Sequence, residues 1–88
     1  MMTEENVKQL LIDTQAILEG HFLLTSGLHS PMYVEKFNVL SHPKYTEQLC
    51  QELARRFEDQ HVELVIGPMT GGILLAHEVG KELGTRAI

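Results

Sequence analysis

The chain has 88 residues, and seven Lys and Arg against twelve Asp and Glu give it a formal net charge of −5, with its five histidines counted neutral. One domain at most fits this length, and 43% apolar residues argue against intrinsic disorder. The acidic balance argues against a nucleic-acid-binding protein, and no apolar run is long enough to cross a membrane. The N-terminal residues lack a signal-peptide pattern. A single cysteine, Cys50, favours a reducing, cytoplasmic setting, and no Cys or His cluster has the spacing of metal ligands.

The first half of the chain predicts a helix followed by two strands. Apolar residues recur at helical spacing over residues 4–19, Thr3 can cap the start, and Gly20 stands where helices usually end. Ile17 and Leu18 belong to the apolar stripe of this predicted helix. The period then changes to two, which predicts two short strands around a polar turn, the second of them covering residues 32–39.

The second half predicts most of a βαβ unit. A helix over residues 43–60 opens with a favoured proline; a compact apolar strand (62–66) and a helix (71–83) follow, and an apolar course resumes at 87–88. This order predicts that the two strands are parallel. Since a parallel strand needs neighbours, we expect residues 1–88 to be the N-terminal portion of a larger α/β domain. Residues 1–40 would form its helix and flap strands, and residues 41–88 a helix and the start of its core.

The strongest candidate for chemistry is the segment 67–72 (GPMTGG). It joins a buried strand to a helix N-terminus, where backbone N–H groups and the helix dipole favour an anion. Gly71 and Gly72 allow close approach of a phosphate, and Thr70 adds a hydroxyl. The alternative is a tight strand-to-helix turn without a ligand.

A second candidate is the turn over residues 25–31 (TSGLHSP) with Tyr33 after it. Its hydroxyls, imidazole and ring suit a polar planar ligand, and the alternative is a solvated hairpin turn. Other polar residues are interpreted as structural. His77 is predicted to be packed and hydrogen-bonded, and Cys50 to be buried and inert. A solvated helix face is predicted for Glu52, Arg55, Arg56, Glu58 and Asp59.

Two motifs in order resemble orotate phosphoribosyltransferases. The segment 19–33 (EGHFLLTSGLHSPMY) is similar to the family's N-terminal signature, a Gly-x-Phe-x-Leu strand, a Ser-Gly turn, then Ser-Pro and an aromatic strand. The segment 67–72 looks like the family's later glycine-rich loop, again at a strand end, with one helix between the motifs. The resemblance covers about residues 15–88.

The resemblance implies a fold, a reaction and a set of partners. The fold would be a phosphoribosyltransferase-like parallel sheet with flanking helices and an N-terminal flap. The reaction would transfer phosphoribosyl from 5-phosphoribosyl 1-diphosphate to orotate, with Mg²⁺ bound through the diphosphate and a homodimer as the assembly. The residues that match the family's substrate positions are Thr25, Ser26, Tyr33 and Val34, and those that match its diphosphate loop are Met69, Thr70, Gly71 and Gly72.

The sequence departs from the family pattern at positions where many members carry a cation or a catalytic group. Many members carry lysine where Thr25 stands and Tyr-Lys where Thr70-Gly71 stands, so the cations for an anionic donor must come from elsewhere. The family's lysine- and histidine-bearing loop and its paired acidic residues have no counterpart here. We therefore expect no catalytic residue within residues 1–88, and no turnover by this segment alone. The alternatives are a non-catalytic module that binds a nucleotide or the donor, and a purely structural oligomerisation unit.

Overall fold

The structure is a computed structural model that describes residues 2–88, in which four helices and four strands occur. Helix α1 spans Glu4–Asp13, strands β1 and β2 span Ile17–Leu23 and His29–Val34, and α2 is a single turn, Phe37–Leu40. Helix α3 spans Pro43–Phe57, strand β3 spans Leu64–Val65, helix α4 spans Gly71–Leu83, and strand β4 spans Arg86–Ala87. No helix in the described part of the chain combines the length and apolar character of a membrane span.

Helix α1 begins as predicted but ends early. Thr3 Oγ1 accepts a hydrogen bond from the Asn6 amide at 3.1 Å, and Asn6 Oδ1 accepts one from the Thr3 amide at 3.0 Å, which closes a capping box. The helix ends at Asp13, so the prediction of a helix to residue 19 was wrong. Ile17 and Leu18 open strand β1 instead.

Long-range hydrogen bonds explain this early end. Gln15 adopts a left-handed φ of 61°, which turns the chain out of the helix. Its carbonyl then accepts from Asn38 Nδ2 at 2.7 Å, and the next carbonyl, of Ala16, accepts from the Glu35 amide at 2.7 Å. The apolar spacing of Ile17 and Leu18 suits either element locally, and these distant partners select the strand.

Strands β1 and β2 form the predicted antiparallel hairpin, in which Leu18 faces Tyr33 and Phe22 faces Ser30. The predicted continuation of β2 to residue 39 was wrong, because the chain turns into α2 after Val34. The amides of Val39 and Leu40 donate to the Lys36 carbonyl at 3.1 and 2.9 Å. This turn buries both apolar side chains, which an extended strand would have placed beyond the hairpin.

The buried centre of the molecule lies where α2 meets the other helices. Ala16, Val39 and Leu40 are 0%, 4% and 8% exposed and form one cluster. Partly buried leucines from α1, α3 and α4 pack around them, namely Leu10, Leu11, Leu49 and Leu75. The core therefore joins the N-terminal and C-terminal halves of the chain.

The C-terminal half has the predicted βαβ topology. Leu64 pairs with Arg86 and Val65 with Ala87, in parallel register, and α4 crosses between the strands. Helix α4 ends at Gly84, which caps it with φ +72°. The α/β fold class predicted from the sequence is confirmed.

Much of the apolar surface has no neighbour within residues 2–88. The radius of gyration is 14.5 Å, against about 12 Å for a compact domain of this length. Apolar residues of α3, α4 and the β3–β4 region remain open to solvent, among them Leu53, Phe57, Leu64, Ile66, Ile73 and Ile88.

Two predictions about polar side chains were wrong. Glu52 is 8% exposed rather than solvated, because its carboxylate accepts from the Met2 amide at 3.2 Å and from Arg55 Nη1 at 2.8 Å. His77 is exposed, in a hollow that α4 forms with Pro43 and Thr46 of α3, and makes no hydrogen bond to residues 2–88. Ile73 and Leu74, one turn before His77, are exposed as well. The many apolar residues of this helix therefore did not indicate that His77 is buried.

Cys50 is fully buried, as predicted, and its titration should be visible in the stability of the protein. Burial raises the pKa of its thiol from 9.0 to about 11, and the carboxylates of Glu78 and Glu82 act in the same direction, while Lys81 opposes them. A raised folded-state pKa means that the unfolded thiol ionises first. We expect this contribution to be complete below pH 9 and to be lost as the pH rises toward 11.

Urea unfolding of the wild type and of Cys50→Ala across that pH range measures this contribution. The cavity in Cys50→Ala lowers stability at every pH, so the comparison rests on how steeply the free energy of unfolding changes with pH in each protein. The free energy of unfolding should fall more steeply with pH in the wild type. Parallel slopes for the two proteins would contradict the expected ionisation.

Candidate functional site

The segment 67–72, called the glycine loop below, is fixed to the end of the parallel strand pair. The Gly67 amide donates to the Ile88 carbonyl at 3.0 Å, and the Ile88 amide donates to the Val65 carbonyl at 3.0 Å. The loop therefore starts at the carboxyl end of β3, the edge where ligands bind in open parallel sheets.

Glycine is required within this loop because the backbone folds closely onto itself. A Cβ on Gly67 would overlap the Gly72 carbonyl oxygen and lie 3.1 Å from the Ala76 Cβ. A Cβ on Gly72 would lie 2.5 Å from the Pro68 Cδ. The glycines thus permit a compact turn, which is a steric reason that does not depend on any ligand.

The loop leads into the N-terminus of α4, whose first residue, Gly71, is buried, while Met69 and Thr70 before it are exposed. Thr70 is the N-cap, its carbonyl accepts from the Ile73 amide at 3.2 Å, and no side chain of residues 2–88 caps this end. The first amides of a helix lack intrahelical acceptors and carry partial positive charge. Met69 is 85% exposed, and Thr70 is exposed as well, so solvent reaches this side of the loop.

The second set of predicted site residues lies on the hairpin. Thr25 and Ser26 occupy its turn, which is closed by a hydrogen bond from the Leu24 amide to the Leu28 carbonyl at 2.8 Å. The Leu28 amide also donates to Ser26 Oγ at 3.4 Å. Both predicted residues are exposed at the tip of the hairpin.

Tyr33 and Val34 lie near the opposite end of the hairpin and are 44% and 59% exposed. As neighbours on one strand they face opposite sides of the hairpin. The ring of Tyr33 lies 5.7 Å from that of Phe22, at an angle of 35°. A flat ligand that stacks on the Tyr33 ring would therefore not meet the Val34 side chain on the same face.

The base of the hairpin meets the glycine loop through a residue that the sequence analysis did not select. A Cβ on Gly71 would lie 2.6 Å from Cε and 2.9 Å from Cδ of Lys36. The Lys36 stem therefore lies against the loop, two residues after Val34. In contrast, the tip with Thr25 and Ser26 is a strand length away, roughly 15–20 Å. No local signal identifies Lys36, because a single lysine after a strand is common at protein surfaces.

A pair of histidines was also missed. His21 Nε2 and His29 Nδ1 lie 2.8 Å apart across the hairpin, and one ring donates to the other. Both are exposed, beside a shallow hollow that Gly20, Ser30 and Pro31 complete. Nothing in the strand pattern marks this pair, because a bulge between Glu19 and Phe22 shifts the register that brings the rings together.

The residues at the glycine loop suit an anion better than a protein-bound metal. The loop presents backbone N–H groups and the Thr70 hydroxyl, and its six residues include no carboxylate. Nowhere in residues 2–88 do three or more His, Cys, Asp or Glu side chains cluster as metal ligands. A divalent cation would have to reach the loop already bound to phosphate oxygens, as Mg²⁺ commonly does.

Comparison with known proteins gives relatives along the whole chain, although no family model matches it. The chain is 52% identical over 87 residues to an orotate phosphoribosyltransferase from Desulforamulus reducens, covering 99% of this chain and 46% of that protein. It is 46% identical over 83 residues to the enzyme of the same name from Thermus thermophilus, covering 94% and 45%. The chain thus spans about half the length of the curated relatives it matches.

Solved structures agree with these relatives. The crystal structure of orotate phosphoribosyltransferase from Aeropyrum pernix matches with a TM-score of 0.72 at 26% identity, over 90% of this chain and 48% of that one. The structure of Leishmania donovani UMP synthase matches with a TM-score of 0.84 over 98% of this chain and 19% of that one. At 19% identity, this second match supports the fold alone.

Proposed function

Because the chain is homologous over its whole length to orotate phosphoribosyltransferases, we propose that the protein carrying it makes orotidine 5′-phosphate. The substrates are orotate and 5-phosphoribosyl 1-diphosphate, and the reaction is a step of pyrimidine nucleotide synthesis. The observation that carries this proposal is 52% identity over 99% of the chain to a protein of that name. The helix N-terminus at the glycine loop, which lacks a side-chain cap, supports it.

The proposed chemistry explains why such a loop is useful. The bond between ribose C1 and the diphosphate oxygen breaks, and its electron pair leaves on the diphosphate. A ring nitrogen of orotate forms the new bond to C1, and the proton of that nitrogen passes to the diphosphate or to water. Negative charge therefore grows on the leaving group, where the amides at the start of α4 and the Thr70 hydroxyl can stabilise it.

We assign the binding roles by position. Met69, Thr70, Gly71 and Gly72 bind the diphosphate, while Tyr33 and Val34 hold the orotate ring. Thr25 and Ser26, which match a donor-contacting position of the family, lie at the tip of the hairpin and would meet only groups of the donor far from its diphosphate. The loop itself offers no carboxylate for a metal, so Mg²⁺ would be held through the diphosphate oxygens, where it would neutralise part of their charge.

The wider organisation belongs to the same proposal. In this proposal, residues 1–40 would supply the N-terminal helix and flap strands, and residues 41–88 a helix and the start of the parallel sheet, in a domain that the relatives extend to about twice this length. We further propose a cytoplasmic homodimer, to whose surface the exposed apolar residues Leu23 and Met32 of the hairpin would contribute.

Diphosphate release in the presence of orotate, the donor and Mg²⁺ tests the function. The protein carrying this chain is expected to turn over with orotate and to show at least tenfold less activity when uracil replaces it. Residues 1–88 expressed alone are expected to show none. Saturable binding of the donor without turnover in the whole protein would instead support the non-catalytic module, and absence of both would refute the phosphoribosyltransferase assignment.

A further inference from the structure

Lys36 reaches the glycine loop from a different part of the chain. Its Cδ and Cε lie so close to Gly71 that a Cβ on any other residue at this position would collide with them. The Cδ1 of Leu40 lies 3.4 Å from the same point, so Lys36 and a core residue together cover this side of Gly71. Only glycine at position 71 leaves room for the Lys36 stem, since any Cβ there would displace it.

The backbone of Lys36 is held by both of its neighbouring elements. The preceding residue, Glu35, donates its amide to the Ala16 carbonyl at 2.7 Å. The Lys36 carbonyl accepts from the amides of Val39 and Leu40, whose side chains are buried. The root of the side chain is therefore fixed beside the loop, while four methylene groups leave the ammonium able to move.

The charge of Lys36 is available to an external anion. Among residues 2–88, no carboxylate lies within 4.0 Å of its Nζ, which rests 4.9 Å from the centre of the Phe37 ring. Lys81 presents the opposite case, because its Nζ lies within 4.0 Å of carboxylates from Glu47, Glu78 and Glu82. Because no carboxylate of residues 2–88 lies beside it, the Lys36 ammonium can pair with the anionic groups of a ligand.

The glycine loop itself contains no Lys or Arg. Amides alone bind an anion weakly in water, and a segment of net charge −5 disfavours a polyanionic donor unless a cation stands near the site. We propose that Lys36 is a ligand-binding residue that supplies this cation and contacts the diphosphate of the donor at the glycine loop. This inference rests on the proposed function, which sets the ligand as a diphosphate ester.

Three variants of the protein carrying this chain test the role of Lys36. Lys36→Met keeps an apolar stem over Gly71 and removes the charge, and Lys36→Arg keeps the charge. Lys8→Met, on the exposed face of α1, is the matched control for loss of one positive charge. Calorimetry measures the Kd for inorganic diphosphate with Mg²⁺ and, separately, for orotate, and circular dichroism checks that each variant is folded.

Lys36→Met should raise the Kd for diphosphate about tenfold or more, the usual effect of losing a charged hydrogen-bond partner. Its Kd for orotate should stay within about twofold, and Lys36→Arg should lie close to the wild type. Lys8→Met should bind diphosphate within about twofold of the wild type, since distant surface charges are screened by salt.

Gly71→Ala provides an independent test, because it displaces the Lys36 stem without removing its charge. As a single substitution, Gly71→Ala should weaken diphosphate binding. Added to Lys36→Met, it should cause a much smaller further loss of affinity, since both changes act on one contact. Strictly additive losses would indicate that the two residues act separately and would overturn the proposal.

The outcomes separate this inference from the function on which it rests. A wild type that turns over with orotate, together with Lys36→Met that binds diphosphate equally tightly, overturns the role of Lys36 and leaves the proposed function intact. A wild type that neither turns over nor binds diphosphate overturns both.

Discussion

Gly67→Ala is expected to destabilise the fold by about 1–3 kcal/mol, the usual cost of forcing extra atoms into a packed region, and to abolish diphosphate binding at the glycine loop. The added methyl group would overlap the Gly72 carbonyl oxygen and crowd the Ala76 Cβ at 3.1 Å. Neither is the end of a flexible side chain, so the strain must be relieved by moving the start of α4. That movement takes the amides of the helix N-terminus away from the diphosphate.

Urea unfolding and calorimetry with diphosphate measure the two effects of Gly67→Ala. Gly84→Ala is the matched control, because a Cβ there meets nothing within 4 Å and the cost is confined to its left-handed φ of +72°. That strain amounts to about 1–2 kcal/mol and lies at the far end of α4 from the loop. The control should bind diphosphate normally. Normal binding and stability in Gly67→Ala would show that the loop is not closed as the structure has it.

Leu40→Ala is expected to lower the free energy of unfolding by about 2–5 kcal/mol, as truncation of buried leucines does. Leu40 is 8% exposed and shares the central cluster with Ala16 and Val39. Domains in general have about 5–15 kcal/mol of stability, and small ones bury little of their surface. With much apolar surface open in residues 2–88, we expect this variant to be largely unfolded at 37 °C if the chain is studied alone.

Thermal and urea unfolding followed by circular dichroism test the Leu40 variant. Leu28→Ala is the matched control, because that leucine is 68% exposed in the hairpin turn and its truncation should change stability by less than about 0.5 kcal/mol. Equal midpoints for the two variants would contradict the assignment of the core.

Under the proposed function, the core and the diphosphate site share one residue, Leu40. Leu40 Cδ1 lies near the point where a Gly71 side chain would begin, beside the Lys36 stem. Leu40→Val, which keeps most of the packing, should therefore weaken diphosphate binding more than its loss of stability alone explains. This coupling arises because α2 connects the hairpin to α4 within a few residues.

The sequence by itself determined the elements whose signals are local. Pro43 marks the start of α3, Gly84 marks the end of α4, and the segment between a compact apolar strand and α4 identifies the glycine loop. The parallel pairing of β3 and β4 follows from their order around a helix. These features depend on periodicity, capping and chain connectivity, which neighbouring residues specify.

Tertiary structure decided the features that depend on distant partners. Helix α1 ends at Asp13 because carbonyls of Gln15 and Ala16 find donors in residues 35–38, and no local pattern contains that information. Residues 37–40 form a helical turn because the turn buries Val39 and Leu40 in a core assembled from other helices. The same turn brings Lys36 onto Gly71. The sequence showed that the glycine loop lacks a cation of its own, and packing between elements far apart in the chain places one beside it.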